Sequence, residues 1–200
     1  MLNQPIKVVL CGPPQSGKSC LREGLKQAIL PMHRVGKAPY PYVLTACPDG
    51  EGAWYSEAVR NNPELARELK AAYKRKFTWQ FAQEKARDVQ NIHLPLTIID
   101  VGGKTTDENK LIMPHATHAL ILSGDRNKVP EWRDFCRNIK LCIIAIIHSD
   151  YYGECDCIES ESPILTGSIH RLQRGEDVSG RPMVQALARL LVGLCSELWE

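Results

Sequence analysis

The chain has 200 residues and a formal net charge of +2 at pH 7, with 44% hydrophobic and 24% charged residues. This length supports one domain with a full hydrophobic core, so we expect residues 1–200 to form a single domain. The composition is that of a globular protein and excludes a disordered chain, a collagen-like repeat and a coiled coil. The near-neutral charge balance gives no bulk signal for nucleic-acid binding.

No segment of the sequence predicts a membrane span or an export signal. The longest purely apolar run covers residues 141–147, far short of the roughly 18–20 residues that cross a bilayer. The amino-terminal residues carry a single Lys7 before a glycine-rich loop, which is not the pattern of a signal peptide. We therefore expect a cytoplasmic protein whose eight cysteines stay reduced, with no membrane partner.

Apolar, β-branched runs alternate along the chain with helical patterns, which is typical of a parallel sheet covered by helices on both faces. The predicted strands are residues 6–11, 42–46, 94–101, 118–123, 141–148 and 164–170. The predicted helices are residues 18–30, 63–76, 78–91, 107–113, 130–139 and 182–198. Stretches rich in Pro, Gly and polar residues predict surface loops at 31–41 and 149–163. The pattern predicts a three-layer α/β fold with a mostly parallel sheet of five or six strands.

The first predicted strand runs into a glycine-rich loop that fits the P-loop pattern of Gly, four residues, Gly, Lys and Ser or Thr. The candidate nucleotide-binding residues are Gly12, Pro13, Pro14, Gln15, Ser16, Gly17, Lys18, Ser19 and Cys20. Backbone N–H groups of such a loop surround phosphate oxygens, and the positive end of the following helix faces the same anion. We expect Lys18 to neutralise the β- and γ-phosphates and Ser19 to bind Mg²⁺. The loop therefore predicts a P-loop NTPase fold, and a turn that only caps a helix is the alternative.

A second signal lies at the end of the third predicted strand, where the apolar residues are followed by Asp100. A carboxylate at this edge of the sheet lies beside the phosphate loop and can hold Mg²⁺ directly or through water. Gly103, three residues later, can bring its N–H close to the γ-phosphate. An aspartate after a strand also commonly caps a turn, which is the competing interpretation of Asp100.

Two further loops carry candidate catalytic residues. Asp49 and Glu51 follow the second predicted strand, and either carboxylate can take a proton from an acceptor hydroxyl. A Pro-Asp-Gly sequence is also favourable turn chemistry, so a simple turn remains the alternative there. A later loop carries Arg171, Arg174 and Arg181, of which Arg174 is our candidate for stabilising charge in the transition state. Solvated surface arginines are the alternative for all three.

The sequence favours adenine over guanine as the base. Guanine recognition needs Asn-Lys-x-Asp after a later strand, and neither Asn127-Lys128 nor Ser149-Asp150 provides it. We therefore expect ATP rather than GTP, bound with Mg²⁺, and the activity of a kinase-like phosphotransferase or an ATPase. A basic run at residues 67–76 allows a further hypothesis, a nucleic-acid-binding ATPase, although such a run is more often a solvated helix face.

Four further phrases support a family resemblance: YVLTACPDGEGAW at residues 42–54, IDVGGK at 99–104, THALILSGD at 117–125 and RGEDVS at 174–179. Together with the P-loop, they resemble the P-loop domain that is joined to type III CRISPR ring nucleases in some cyanobacteria. The resemblance implies a setting in antiviral signalling, with a ring-nuclease domain or a cyclic oligoadenylate as partner. In that arrangement the nuclease domain precedes the P-loop domain, so we do not expect its cleavage activity of residues 1–200.

This resemblance also frames the alternative to an enzyme. In that hypothesis the chain is a non-catalytic switch, and its bound nucleotide controls homo-oligomerisation or docking to a partner ring nuclease. An enzyme turns over the nucleotide, whereas a switch changes its assembly state when nucleotide binds.

Overall fold

The computed structural model describes residues 4–48 and 77–196 of the chain. The strands of this part are β1 Ile6–Cys11, β2 Pro41–Ala46, β3 Leu96–Val101, β4 His118–Ser123, β5 Cys142–Asp150, β6 Cys157–Ser160 and β7 Leu165–His170. Its α-helices are α1 Lys18–Arg34, α2 Trp79–Asn91, α3 Asp107–Ile112, α4 Val129–Asn138 and α5 Pro182–Ser196. Short 3₁₀ helices cover Met113–His115 and Arg126–Lys128.

All of the strands belong to one sheet, with the order β2-β3-β1-β4-β5-β7-β6. Every neighbouring pair is parallel except β6 and β7, which are antiparallel. β1 lies between β3 and β4, and its pairing sets Leu10 opposite Asp100 and Cys11 opposite Ile121. The loop after β1 therefore begins at the point where the strand order changes direction, which is where parallel α/β sheets bind their ligands.

Side chains of β1 point alternately into two cores on the two faces of the sheet. Val8 and Leu10 belong to the core that contains α1 and α5. Val9 and Cys11 belong to the core that contains residues of α2, α3 and α4. Because both faces are covered, β1 is buried along its whole length, and this explains why its sequence shows no polar alternation. The predicted three-layer arrangement is confirmed.

The predicted number of strands was too low, because the described part of the chain already contributes seven strands to the sheet. The additional strand, β6, lies within residues 149–163, which we predicted to be a loop. β6 pairs only at the edge of the sheet, and its Cys157 and Glu159 are exposed, so its sequence lacks an apolar run. The other strands differ from the predicted bounds only at their ends. β2 begins at Pro41, β3 begins at Leu96, β5 covers Cys142–Asp150 and β7 begins at Leu165.

The first helix is longer than predicted, because α1 continues through Pro31 to Arg34. Proline inside a helix removes one backbone donor, but Met32 still packs against the core and stabilises the last turn. The helix then ends with backbone bonds from Gly36 N to His33 O at 2.9 Å and from Lys37 N to Met32 O at 2.8 Å. The prediction of a loop at residues 31–41 was therefore wrong at both of its ends.

The other described helices begin and end within a few residues of the predicted bounds. α2 begins after Thr78, whose hydroxyl accepts a hydrogen bond from Phe81 N at 3.2 Å and caps the helix. The predicted helix at residues 63–76 and the end of the predicted helix at 182–198 lie outside the described residues. Within the described part of the chain, no helix is both long and apolar enough to span a lipid bilayer.

Candidate functional site

The loop between β1 and α1 has a backbone that depends on its glycines. Gly12 and Gly17 have φ angles of +133° and +81°, in the region that side chains rarely adopt. A Cβ atom at Gly12 would also collide with the carbonyl oxygen of Leu122 in β4, and one at Gly17 would lie 2.7 Å from Leu172. The two glycines of the pattern are therefore required both by conformation and by close packing.

The side chain of Lys18 lies within the curve of this loop. Its Nζ donates hydrogen bonds to Gly12 O at 2.9 Å and to Pro13 O at 3.0 Å, and the residue is 8% exposed. The hydroxyl of Ser16 also donates to Pro13 O, at 2.8 Å. These bonds hold the loop in a compact turn around a buried positive charge, at the positive end of α1.

Ser19 and Asp100 are in direct contact, although they come from different elements. Ser19 Oγ donates to Asp100 Oδ2 at 2.9 Å, which joins the first turn of α1 to β3. Asp100 is only 1% exposed. A hydroxyl and a carboxylate are hard oxygen donors of the kind that Mg²⁺ prefers, so this pair fits the predicted metal site. Ser19 and Asp100 are the residues that would hold the ion.

Gly103 lies directly against the loop between β1 and α1. A Cβ atom at this position would be 2.7 Å from Pro14 N and 2.9 Å from Pro14 Cα. The buried Asn109 fixes this segment by donating to Gly102 O at 2.9 Å and to Lys104 O at 2.7 Å. Asn109 was not among the predicted site residues, because an asparagine near a helix start usually signals only a cap.

These residues surround a cavity of about 570 Å³ at the carboxyl ends of the strands. The predicted site residues that line it are Pro14, Gln15, Ser16, Gly17, Lys18, Ser19, Cys20, Asp100, Gly103 and Arg174. Gly12 and Pro13 lie at the base of the loop, where their carbonyls bind Lys18. Asp49 and Glu51 lie outside the described residues, but Cys47 and Pro48, which precede them, also line the cavity.

The three arginines of the later loop have different surroundings. Arg174 lines the cavity together with Leu172. Arg181 instead binds the fold itself, since its guanidinium donates to the backbone oxygen of His170 and, at 2.9 Å, to Glu176. Arg171 is an exposed residue with a φ angle of +40°. The structure thus places Arg174 at the cavity and gives Arg181 a structural partner.

Arg22 was not among the predicted site residues, but it lies beside the Ser19–Asp100 pair. Its Nη1 is 3.5 Å from Asp100 Oδ2 and donates to Thr45 Oγ1 at 2.9 Å. The spacing of three residues from Ser19 puts both side chains on one face of α1. The spacing between Ser19 and Arg22 was the only sign of this role in the sequence. It points to Arg22 only when the structure shows that Asp100 lies against this face of α1.

Charge and burial also act on Cys20, which follows Ser19. Burial raises the pKa of the Cys20 thiol, while the positive charges of Arg174 and Arg22 oppose that shift. The described lining of the cavity contains three cationic and two carboxylate side chains. They are Lys18, Lys104 and Arg174, and Asp100 and Glu108.

At the end of β5, a carboxylate is bound within its own turn and the next residue lines the cavity. Asp150 Oδ1 accepts hydrogen bonds from Tyr152 N at 3.1 Å and Gly153 N at 2.9 Å, so this carboxylate stabilises its own turn. The next residue, Tyr151, lines the cavity and is 57% exposed. An accessible aromatic ring at this position offers a surface on which a planar base can stack.

Comparisons with known proteins identify the fold. No protein-family model matches the chain, and no curated protein matches it. The structure resembles that of a protein from Borrelia burgdorferi B31, described as a plasmid partition protein and bound to AMPPNP, with a TM-score of 0.58, 10% identity and coverage of 98% of each chain. It also resembles a nucleotide-binding protein from Archaeoglobus fulgidus in complex with ADP, with a TM-score of 0.47, 15% identity and coverage of 92% of this chain and 77% of that one.

The first of these likenesses, together with the sheet topology, defines the class of fold. The chain has the three-layer α/β fold of P-loop NTPases, as the sequence predicted. The loop after β1 and the carboxylate near the end of β3 lie at the carboxyl ends of the strands, where that fold places its ligand site.

Proposed function

We propose that this chain binds ATP together with Mg²⁺ and acts on the γ-phosphate, as a kinase-like phosphotransferase or an ATPase. The observation that carries the proposal is the contact of 2.9 Å between Ser19 and Asp100 beside the buried Lys18. The cavity of about 570 Å³ is within the usual size range of small-molecule sites. The AMPPNP bound to the Borrelia protein of the same fold gives further support.

In this proposal, different residues around the cavity bind different parts of the triphosphate and its Mg²⁺. Lys18 exchanges the carbonyl oxygens of Gly12 and Pro13 for oxygens of the β- and γ-phosphates. Ser19 and Asp100 hold Mg²⁺, which neutralises phosphate charge when bound. Gly103 offers its N–H to the γ-phosphate. Two further roles complete the proposal: Arg174 stabilises transition-state charge, and Asp49 or Glu51 accepts the proton of the acceptor.

The preference for ATP over GTP rests on the residues at the end of β5. The carboxylate of Asp150 accepts hydrogen bonds from two backbone N–H groups of its own turn at Oδ1, and Asp150 is not among the described residues that line the cavity. The ring of Tyr151 lies at the same cavity and provides stacking, which does not depend on guanine-specific hydrogen bonds.

Calorimetry with ATP and GTP in the presence of Mg²⁺ tests the nucleotide site. We expect Lys18→Ala to weaken ATP binding about 10- to 100-fold, because it removes charge-assisted hydrogen bonds to phosphate. Lys110→Ala is the matched control, since Lys110 is exposed and pairs with Asp107 at 2.9 Å, away from the cavity. Failure of the wild-type protein to bind either nucleotide, or equal binding by Lys18→Ala, would refute the proposal.

Phosphoryl transfer is tested separately from binding. Nucleosides, nucleotides and oligoadenylates are screened for phosphate gained from labelled ATP, with release of inorganic phosphate measured in parallel. We expect Asp49→Asn or Glu51→Gln to reduce transfer while leaving ATP affinity within about twofold. Unchanged product formation in both variants would reject these residues as the base.

A nucleotide-controlled switch is the second candidate, favoured by the sequence resemblance of residues 42–54 and 174–179 to the domain joined to CRISPR ring nucleases. In this candidate the partner is a ring-nuclease domain, and cyclic oligoadenylate signalling is the setting. Light scattering with and without nucleotide distinguishes the two functions. A change of mass without turnover supports the switch, whereas rapid hydrolysis at constant mass supports the enzyme.

A further inference from the structure

Arg22 contacts the same carboxylate as Ser19 but has no part in the roles proposed above. Its Nη1 lies 3.5 Å from Asp100 Oδ2, the oxygen that accepts the Ser19 hydrogen bond at 2.9 Å. Asp100 is 1% exposed, so water contributes little to the stability of its charge. A buried carboxylate of this kind needs a cation close by, and Arg22 supplies one.

A second contact holds Arg22 in place. Its Nη1 donates to Thr45 Oγ1 at 2.9 Å, and Thr45 is the direct neighbour of Asp100 in the pairing of β2 with β3. Ser19 and Asp100 are among the described residues that line the cavity, whereas Arg22 is not. Arg22 therefore reaches the carboxylate from a side that is not part of the described cavity lining, and a ligand that enters the cavity does not need to displace it.

We propose that Arg22 is a resident counter-charge that takes over part of the role of the divalent cation at Asp100; this rests on the nucleotide site proposed above. With Arg22 in place, the Asp100 carboxylate repels nucleotide phosphates only weakly when no metal is bound. The same guanidinium repels a divalent cation that shares the carboxylate, because like charges a few ångströms apart interact strongly in a buried site. The consequence is nucleotide binding that depends only weakly on Mg²⁺.

The test compares AMPPNP affinity in EDTA with AMPPNP affinity in Mg²⁺, by calorimetry. Arg22→Gln keeps a donor for Thr45 but removes the charge, so we expect the factor by which Mg²⁺ strengthens binding to rise on the order of tenfold. Most of that rise comes from weaker binding in EDTA. Arg22→Lys keeps the charge and stays near the wild-type factor. Arg34→Gln, at the exposed end of the same helix, is the matched control and leaves it unchanged.

A purely structural role for Arg22 predicts a different result, in which Arg22→Gln lowers both affinities equally and the Mg²⁺ factor is unchanged. That result would overturn the proposal. Arg22→Met, which fills similar space without charge, replaces the Gln variant if the latter does not fold.

Failure of the nucleotide site itself gives a separate signature. If the wild-type protein binds no AMPPNP, Mn²⁺ titration of the nucleotide-free protein decides the role of Arg22. Tighter Mn²⁺ binding by Arg22→Gln than by the wild type, lost in Asp100→Asn, supports the counter-charge. Equal or weaker binding refutes it.

Discussion

At the scale of single residues, the candidate site depends on how closely two loops approach each other. The loop after β3 contacts the phosphate loop at Gly103, where backbone atoms of Pro14 leave no space for a side chain. Asn109 holds the segment from the other side through two backbone carbonyls. The position of the Gly103 N–H is therefore set by backbone on one side and by a buried amide on the other.

Gly103→Ala is expected to weaken nucleotide binding about tenfold, because the new methyl group forces the loop after β3 away from Pro14. Calorimetry with AMPPNP and Mg²⁺ measures the effect. Gly180→Ala is the control, since nothing among the described residues lies within 4 Å of a Cβ atom there. Equal affinities for Gly103→Ala and the wild type would show that the N–H of this residue does not contact the nucleotide.

Short local patterns were enough to predict that a glycine-dependent loop follows β1 and that Asp100 lies near the end of a strand beside it; the functions of these residues stay predictions. Lys18 and Ser19 follow fixed glycines, and Asp100 follows an apolar strand. Arg22 and Asn109 were not predicted, since their roles depend on contacts between elements far apart in the chain. The Arg22 contacts join α1 to β2 and β3, and no local pattern specifies which helix face meets which strand.

At the scale of elements, two helical glycines have opposite surroundings. Gly24 lies in α1 at the packing contact with the loop before α5, where a Cβ atom would collide with Cγ2 of Val178. Gly193 lies on the exposed side of α5, with nothing among the described residues within 4 Å of its Cβ position. Helix propensity favours alanine equally at both sites, so packing decides the sign of each substitution.

Gly193→Ala should therefore raise the free energy of unfolding by about 0.5–1 kcal/mol, by restricting the unfolded chain. Gly24→Ala should lower it by about 1–3 kcal/mol, because the added methyl overpacks the contact with Val178. Urea unfolding measures both changes. Equal changes for the two variants would mean that α1 does not pack against residue 178 as described.

Elements with a continuous apolar pattern were predicted well, and the errors arose where packing overrides local preference. α1 passes through Pro31 because Met32 beyond it still contacts the core. β6 was missed because a short edge strand with exposed side chains resembles a loop in sequence. In both cases the deciding interaction is with another element, so a local pattern could not show it.

At the scale of the whole molecule, the sequence predicted the alternation of strands and helices but not the order of the strands. That order places β1 between β3 and β4 and so brings Ser19, on α1, to Asp100, on β3.

The same packing buries titratable groups far from the cavity. Cys195 of α5 is 1% exposed, and its Sγ lies 3.8 Å from the carbonyl oxygen of Pro95. Lys7 of β1 donates to the carbonyl oxygens of Val89 and Gln90.

These two groups predict opposite effects of alkaline pH on stability. Burial raises the pKa of Cys195 from 9.0 to about 11, so between these pH values the unfolded chain loses a proton that the folded chain keeps. The unfolded state then binds fewer protons, and the free energy of unfolding falls as pH rises. Burial lowers the pKa of Lys7, so the folded state binds fewer protons and the free energy of unfolding rises with pH.

The Cys195 contribution is isolated by comparing the wild type with Cys195→Ala in urea unfolding at pH 8 and pH 10.5. The Lys7 contribution is common to both proteins and cancels in the difference. We expect the free energy of unfolding of the wild type to fall roughly 1–2 kcal/mol more than that of Cys195→Ala over this interval, since each unit of pKa shift is worth about 1.4 kcal/mol.

Val184→Ala, a buried and non-titrating change in the same helix, controls for lost packing and should follow the wild-type pH dependence. If the wild type and Cys195→Ala lose equal stability between the two pH values, the Cys195 thiol is not buried against Pro95 and α5 does not pack on the sheet as described.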